Sequence, residues 1–361
     1  MDIKVLDKNF RQAQGNAEEG QKIFKIPCAP FALYGVFYDK EQGCFLRMPY
    51  TVGTAVSEGV AWLNRCTAGG RLRFSTDAAS LTLKAEWNVF GRMPHMPHSG
   101  SSGFVLCDET EHERFVAALM PECNDENGFC RTVALPSGKM RNYILYFPLY
   151  NEVTSLTLAF HEGDGIAKGK EYKKIAPILY YGSSITQGGC ASRADNSYQA
   201  LIAKHTGVDF INLGFSGNAK GEEAMADYLS SLDCSIFVCD YDHNAPDAEY
   251  LAKTHRRFYE RYRAVRKDTP ILFLSKPDCD RDPDADKRLK VIKNTCRFAK
   301  RQGDEHVYLL EGSRLFGSED RENCTVDGTH PNDLGFYRMA EEIERVLLRI
   351  YAKEKKFGDN G

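Results

Sequence analysis

From residue 177 onward the chain alternates between two textures. Short apolar runs occur at Pro177-Ile-Leu-Tyr-Tyr181, Val208–Leu213, Ser235–Asp240, Ile271–Leu274 and His306–Leu310. Stretches with helical punctuation separate them: Asn196 to Lys204 ended by Gly207, Glu222–Leu232, Asp247–Arg266, Asp286–Arg301 and Asn332–Tyr351. Five strands interleaved with helices predict an α/β unit whose parallel sheet is covered on both faces. In such sheets, sites form at the carboxyl ends of the strands.

The first half reads differently. Leu72 and Phe74, then Leu81, Leu83, Ala85 and Trp87, alternate with polar neighbours, the period of a half-buried strand. Phe31–Tyr38, Gly59–Leu63, Arg141–Phe147 and Ser155–Phe160 add further β-type runs between Gly, Ser, Thr and Pro. Many short strands at turn-separated intervals predict an antiparallel, jelly-roll-like sandwich. The polar, Gly-rich stretch His161–Lys170 is the best linker candidate, which divides the chain into residues 1–170 and 171–361. Tyr146-Phe-Pro-Leu-Tyr150, just before it, is too apolar for a free surface and is expected to pack between the two units.

Three carboxyl edges carry candidate chemistry. Gly182 permits a tight exit from the first parallel strand, and a serine follows at once, before a helix whose N–H groups can face an anion. Asn244 follows the third strand. After the fifth comes Val326-Asp-Gly-Thr-His-Pro-Asn332, where Asp327 can orient the His330 imidazole and Pro331 holds His330 extended. A hydroxyl, an amide donor and an acid–base pair at one sheet edge are the parts of a nucleophilic hydrolase.

In the order Ser…Asn…Asp…His, these blocks resemble the SGNH (GDSL-type) hydrolase family. Gly182-Ser-Ser-Ile-Thr-Gln-Gly188 is close to the family's first block, and the resemblance implies Ser184 as nucleophile, with Ser183 in place of the family aspartate. Gly214-Phe-Ser-Gly-Asn218 is similar to the second block and implies Gly217 as an oxyanion donor. The third block matches at Asn244, flanked here by Asp242 and Ala245, and Asp327-Gly-Thr-His-Pro331 matches the fifth in full. The fold so implied is a flavodoxin-like three-layer domain. Gly69–Phe74 and Tyr143–Asn151 resemble the N-terminal β-domain of a two-domain subgroup with a Gly-x-Asp-Leu-Tyr signature; here that stretch is Gly103-Phe-Val-Leu-Cys107.

The implied activity is ester hydrolysis through an acyl-enzyme, with an oxyanion hole of the Ser184 and Gly217 N–H groups and the Asn244 amide and no metal or organic cofactor. No long apolar lid is present, which disfavours long acyl chains, and a β-sandwich beside such a hydrolase resembles carbohydrate esterases that remove acetyl groups from sugars. The alternatives are a lipase or thioesterase, and a sugar-binding protein with an inactive site.

Rival sites are weaker. Ser216 lacks the second glycine of a nucleophile elbow, since Asn218 stands there. The alternating acids Asp278 to Asp286 have Pro283 and Leu289 where a calcium loop needs Gly and Glu. His95 and His98 suggest no third zinc ligand, and their loop is expected instead to reach over the active site and contact substrate. Cys190 reads as a packing residue. Lys+Arg 47 against Asp+Glu 50 leaves no electrostatic footprint for nucleic acid, and no apolar run approaches a membrane span. The opening residues show no export signal, and the 12 cysteines include no CxxC pair, so a cytoplasmic protein acting on a small or oligosaccharide ester is expected.

Overall fold

The computed structural model describes residues 6–7, 13, 15, 20–136, 138–277, 280 and 282–354. Most of the opening stretch read for an export signal, and Asp278 of the acidic run, lie outside the described residues.

Strands β1 (Gln21–Ile26), β2 (Ala32–Tyr34), β3 (Phe37–Asp39) and β4 (Cys44–Leu46) lead into two short helices, α1 (Tyr50–Val56) and α2 (Glu58–Leu63). Then come β5 (Arg71–Thr76), β6 (Ser80–Glu86), the single turn α3 (His98–Ser101), β7 (Phe104–Asp108), β8 (Arg114–Leu119), β9 (Gly128–Ala134), β10 (Arg141–Tyr146), β11 (Ser155–His161) and β12 (Ile166–Lys168). They form two antiparallel sheets, β1-β11-β6-β9 and β12-β5-β10-β7-β8, with β2 also paired to β5. The alternating residues read from the sequence meet as expected: Leu72 and Phe74 share one core with Leu81, Leu83, Ala85 and Trp87.

One first-half expectation is corrected. Gly59–Leu63 is helical, because the Ser57 hydroxyl accepts a hydrogen bond from the Val60 N–H and caps α2, whose Val60, Ala61 and Leu63 are buried. The linker candidate 161–170 itself carries ordered structure. Ile166–Lys168 pair with Thr76–Phe74 as an edge strand, and the Asp164 carboxylate accepts from the His161 N–H at 2.8 Å.

The second half runs β13 (Ile178–Gly182), α4 (Ser184–Gln187), α5 (Tyr198–Thr206), β14 (Phe210–Gly214), α6 (Glu223–Ser231), β15 (Ile236–Asp240), α7 (Ala248–Val265), β16 (Ile271–Leu274), α8 (Ala285–Arg301), β17 (Val307–Leu310) and α9 (Asp333–Lys353). The sheet order is β14-β13-β15-β16-β17, all parallel. This is the flavodoxin-like order. Successive residues of β13 face opposite layers: Ile178 and Tyr180 pack with α5 and α9, Leu179 and Tyr181 with α6, α7 and α8. Asp247 and Asn332 cap α7 and α9 through their side-chain oxygens, whereas Ser197, not Asn196, occupies the cap of α5.

The same two cores reach into the β-sandwich half. Val105, Ile144, Tyr146, Leu149 and Tyr150 belong to the α5/α9 cluster, and Met48, Val60, Leu63 and Cys66 to the opposite one. In β7, Phe104 and Leu106 face the sandwich core while Val105 and Cys107 face the other half. The Val and Cys that replace the signature's Asp and Tyr therefore stand at the contact between the two halves.

Candidate active site

β13 ends at Gly182, where a Cβ would run into the Asp240 carbonyl and the Thr186 hydroxyl. That close approach lets the chain turn at once into α4. The Ser183 hydroxyl accepts from the Ile185 N–H at 3.1 Å and so caps α4. Thr186 Oγ1 donates to Asp240 Oδ2 at 2.9 Å and ties the turn to β15.

On this turn the Ser184 side chain is nearly buried, 5 % exposed, with its Oγ 2.9 Å from His330 Nε2. His330 Nδ1 lies 2.7 Å from Asp327 Oδ2. Asp327 Oδ1 accepts from the N–H groups of Thr329 and His330 at 2.9 and 2.8 Å. Partial burial pushes the Asp327 carboxyl up, but the His330 N–H and ring and the Thr329 N–H outweigh it and hold the group down at about 2. An ionised Asp327 requires the proton on Nδ1, which leaves the Nε2 lone pair facing the Ser184 hydroxyl. The turn carrying both residues is closed by a bridge between Thr325 and Pro331.

The loop after β14 is tied to the serine turn and to Asn244. Gly217 has φ +66°, a conformation that favours glycine, and it follows Ser216, whose N–H donates to Gln187 Oε1 at 3.0 Å. The Asn244 amide donates to the Phe215 carbonyl at 3.1 Å, so the third block is fastened to the second. The structure thus brings Ser184, Asp327 and His330 into one hydrogen-bonded chain and links Asn244 to the loop that carries Gly217.

The two loop histidines are placed differently. The His95 ring centroid lies 5.8 Å from that of His330. The His98 ring packs on Phe90 at 5.0 Å, and burial, then Arg92, pushes its imidazole down, an effect that a hydrogen bond to the Pro121 backbone opposes.

The β-sandwich half supplies supports that no local pattern announced. Arg47 is fully buried and donates to the Gly214 and Leu63 carbonyls at 2.6 Å and to Asn212 at 3.3 Å, holding the Gly217 loop from below. Burial lowers its guanidinium to about 10. The Tyr150 hydroxyl donates to the Ser184 carbonyl at 3.2 Å, and Gln187 Nε2 donates to Leu149 O at 3.2 Å. The apolar run 146–150 does sit between the halves, against the serine turn.

Comparison with known proteins agrees with this geometry. Residues 175–348 match the GDSL-like lipase/acylhydrolase family, and residues 26–166 match the GxDLY domain, the N-terminus of esterases of the SGNH hydrolase type. The second half is thus a GDSL-like lipase/acylhydrolase domain and the first a GxDLY domain of the SGNH-esterase type, the two domains of a carboxylic ester hydrolase. A protein described as a GDSL-like lipase from Bacteroides ovatus shares the fold with a TM-score of 0.83 at 25% identity, over 92% of this chain and 98% of that one. The salicylyl-acyltransferase SsfX3 of a tetracycline biosynthetic pathway has a TM-score of 0.76 at 18% identity, with the same coverage. An acetyl xylan esterase, Est2A, from the rumen bacterium Butyrivibrio proteoclasticus has 0.59 at 14%, over 93% of this chain and 99% of that one. No curated protein sequence matches significantly.

Proposed function

We propose that this chain is a serine esterase that removes short acyl groups, acetyl first among them, from a carbohydrate alcohol through an acyl-enzyme. The observation that carries the reading is the unbroken Ser184–His330–Asp327 chain at 2.9 and 2.7 Å. It also favours an enzyme over an inactive sugar-binding protein.

Ser184 Oγ attacks the ester carbonyl while His330 Nε2 takes its proton. The imidazolium so formed is stabilised by ionised Asp327 and returns the proton to the leaving alcohol. Water then repeats the cycle on the acyl-enzyme. The carbonyl oxygen, negative in the tetrahedral intermediate, is received by the N–H groups of Ser184 and Gly217 and by the Asn244 amide. His95 stands at the mouth, where the alcohol part enters.

Two features support a sugar ester. Trp62 of α2 is 54% exposed beside a small cavity of about 40 Å³ lined by Val89, Gly91 and Tyr150, and an exposed indole suits stacking on a pyranose ring at the surface. Est2A, with the same two-domain fold, is by its name an acetyl xylan esterase. The test is a chain-length series of p-nitrophenyl esters run beside acetylated sugars. Acetate is expected to be the best acyl group and an acetylated sugar the best alcohol. Preference for octanoate over acetate would replace this reading with a lipase.

Two further results are expected. Loss of one oxyanion donor typically costs about 10²–10³ in kcat. Asn244→Ala should show a loss of that order with KM little changed, and wild-type kcat in this variant removes Asn244 from the oxyanion hole. Asp327, held down at about 2, should stay ionised across the working range, so Asp327→Asn should lower kcat at every pH at which the wild type is active; a variant with wild-type kcat speaks against Asp327 as the partner of His330.

A further inference from the structure

Cys190 is the residue near the active centre that the mechanism leaves unused. It follows the serine turn, and its N–H donates to the Pro331 carbonyl at 3.0 Å, which sets it beside His330. Ligand-type atoms of His95, Cys190 and His330 all lie within 4.8 Å of one another. His95 arrives from the other half of the chain. Its neighbour Met96 is buried in one cluster with Cys190 and Ala191, and Ser99 Oγ donates to the Ser192 carbonyl at 2.7 Å. The loop is therefore anchored beside the site, while the His95 ring itself is exposed.

We propose that His95, Cys190 and His330 form an inhibitory site for a zinc-class cation, which bridges the two halves of the chain and silences the enzyme by occupying His330 Nε2. The silencing rests on His330 acting as the base of the proposed esterase; the metal site itself does not.

The donor chemistry is suited to such an ion. Imidazole nitrogen and thiolate sulfur are the donors that zinc takes, and three such protein ligands leave a fourth position for water. Tetrahedral donors at zinc lie roughly 3.3–3.6 Å apart, from bond lengths of about 2.0–2.3 Å. The donors, within 4.8 Å of one another, must close to that spacing, and the exposed His95 side chain is one that can move to do so. His330 Nδ1 is paired with a carboxylate, as in a metal-ligating histidine, and Nε2 is held by Ser184 Oγ at 2.9 Å, a contact that the metal would displace. Burial, then the Asp327 charge, holds the Cys190 thiol up at about 12, so it is no nucleophile of its own. On binding, the metal displaces the thiol proton to solvent and the sulfur becomes a thiolate ligand.

The other such cluster among the described residues, Asp240, Asp242 and His243, is committed to the fold. Asp240 accepts from Thr186, and Asp242 accepts from the Lys276 and His243 N–H groups.

The test uses the metal-free full-length protein and has two readouts. In the first, Co²⁺ is titrated in. One ion per chain with a thiolate-to-cobalt charge-transfer band is expected, displaced by Zn²⁺ and lost in Cys190→Ser. In the second, Zn²⁺ inhibition of p-nitrophenyl acetate hydrolysis is measured, with each variant normalised to its own metal-free rate. Loss of an outer partner of a metal ligand typically costs about 10–100-fold in affinity, so loss of a ligand should cost at least that. The half-inhibiting Zn²⁺ concentration should rise accordingly in Cys190→Ser and in His95→Gln, and a chelator should restore the wild-type rate. His95 is on an exposed loop, so its variant remains informative even if Cys190→Ser folds poorly. Absence of the band, or an unchanged half-inhibiting concentration in both variants, overturns the site. A protein that shows the band but hydrolyses no ester supports the site and refutes the esterase reading.

Discussion

Ser184→Ala is expected to lower kcat by about 10⁶-fold, the loss seen when the nucleophile of a comparable triad is removed. The His330–Asp327 pair would remain, but with no hydroxyl on Nε2 there is nothing for it to deprotonate. Ser183→Ala is the matched control one residue away. Its hydroxyl accepts from the Ile185 N–H, so its loss should cost about 1 kcal/mol of stability, as for other cap residues, and leave most of the turnover. Circular dichroism and thermal melts of both variants separate folding from chemistry. A fluorophosphonate probe should label wild type and Ser183→Ala but not Ser184→Ala. If Ser183→Ala loses turnover and labelling while Ser184→Ala keeps them, the nucleophile assignment is wrong, and with it the role given to His330.

The parts of the site that were legible in the sequence are those carried by short segments. Gly182 to Gly188 and Asp327 to Pro331 each hold their chemistry within one turn, and the Ser184–His330 contact at 2.9 Å follows once both turns end up at the same sheet edge. The alternation of strand and helix supplied that edge. What stayed hidden is contact across the chain. Arg47 meets its carbonyl partners 165 and 167 residues away, and nothing near it in sequence announces a buried cation. Gly59–Leu63 is apolar enough for a strand, and only its burial against the other half, with Ser57 as cap, makes it a helix. His95 and His98 share one loop and look equivalent. Packing alone separates them, since Phe90 takes the His98 ring and leaves His95 beside His330.

The second large effect concerns those contacts across the chain. Residues 171–361 expressed alone are expected not to form an active, soluble domain. Removing the first half would uncover Ile185, Phe210 and Phe215, which are buried in cores that both halves build. Contiguous apolar surface of that kind leads to aggregation. It would also strip the Gly214 and Asn212 carbonyls of Arg47, and Asp209 and the Phe210 carbonyl of Arg71, whose guanidinium lies 3.6 Å from the Phe210 ring centroid. These bonds fix β14 and hence the Gly217 loop, so stability and the oxyanion hole fail together. A soluble fragment that matches full-length kcat/KM on the same ester refutes the shared-site arrangement. Aggregation alone would show docking without showing a catalytic role, so Arg47→Met in the intact chain is the decisive companion. A hydrogen bond from a charged group is worth about 1.5–3 kcal/mol, and this side chain makes several to backbone carbonyls. The variant should melt earlier, and below its melting point it should still show reduced kcat with little change in KM, because the support it removes lies under the oxyanion loop and not in the cleft. A variant that melts earlier but keeps wild-type kcat confines Arg47 to the fold and leaves the Gly217 loop to be held by its other contacts, Gln187, Asn244 and the Gly182 carbonyl among them.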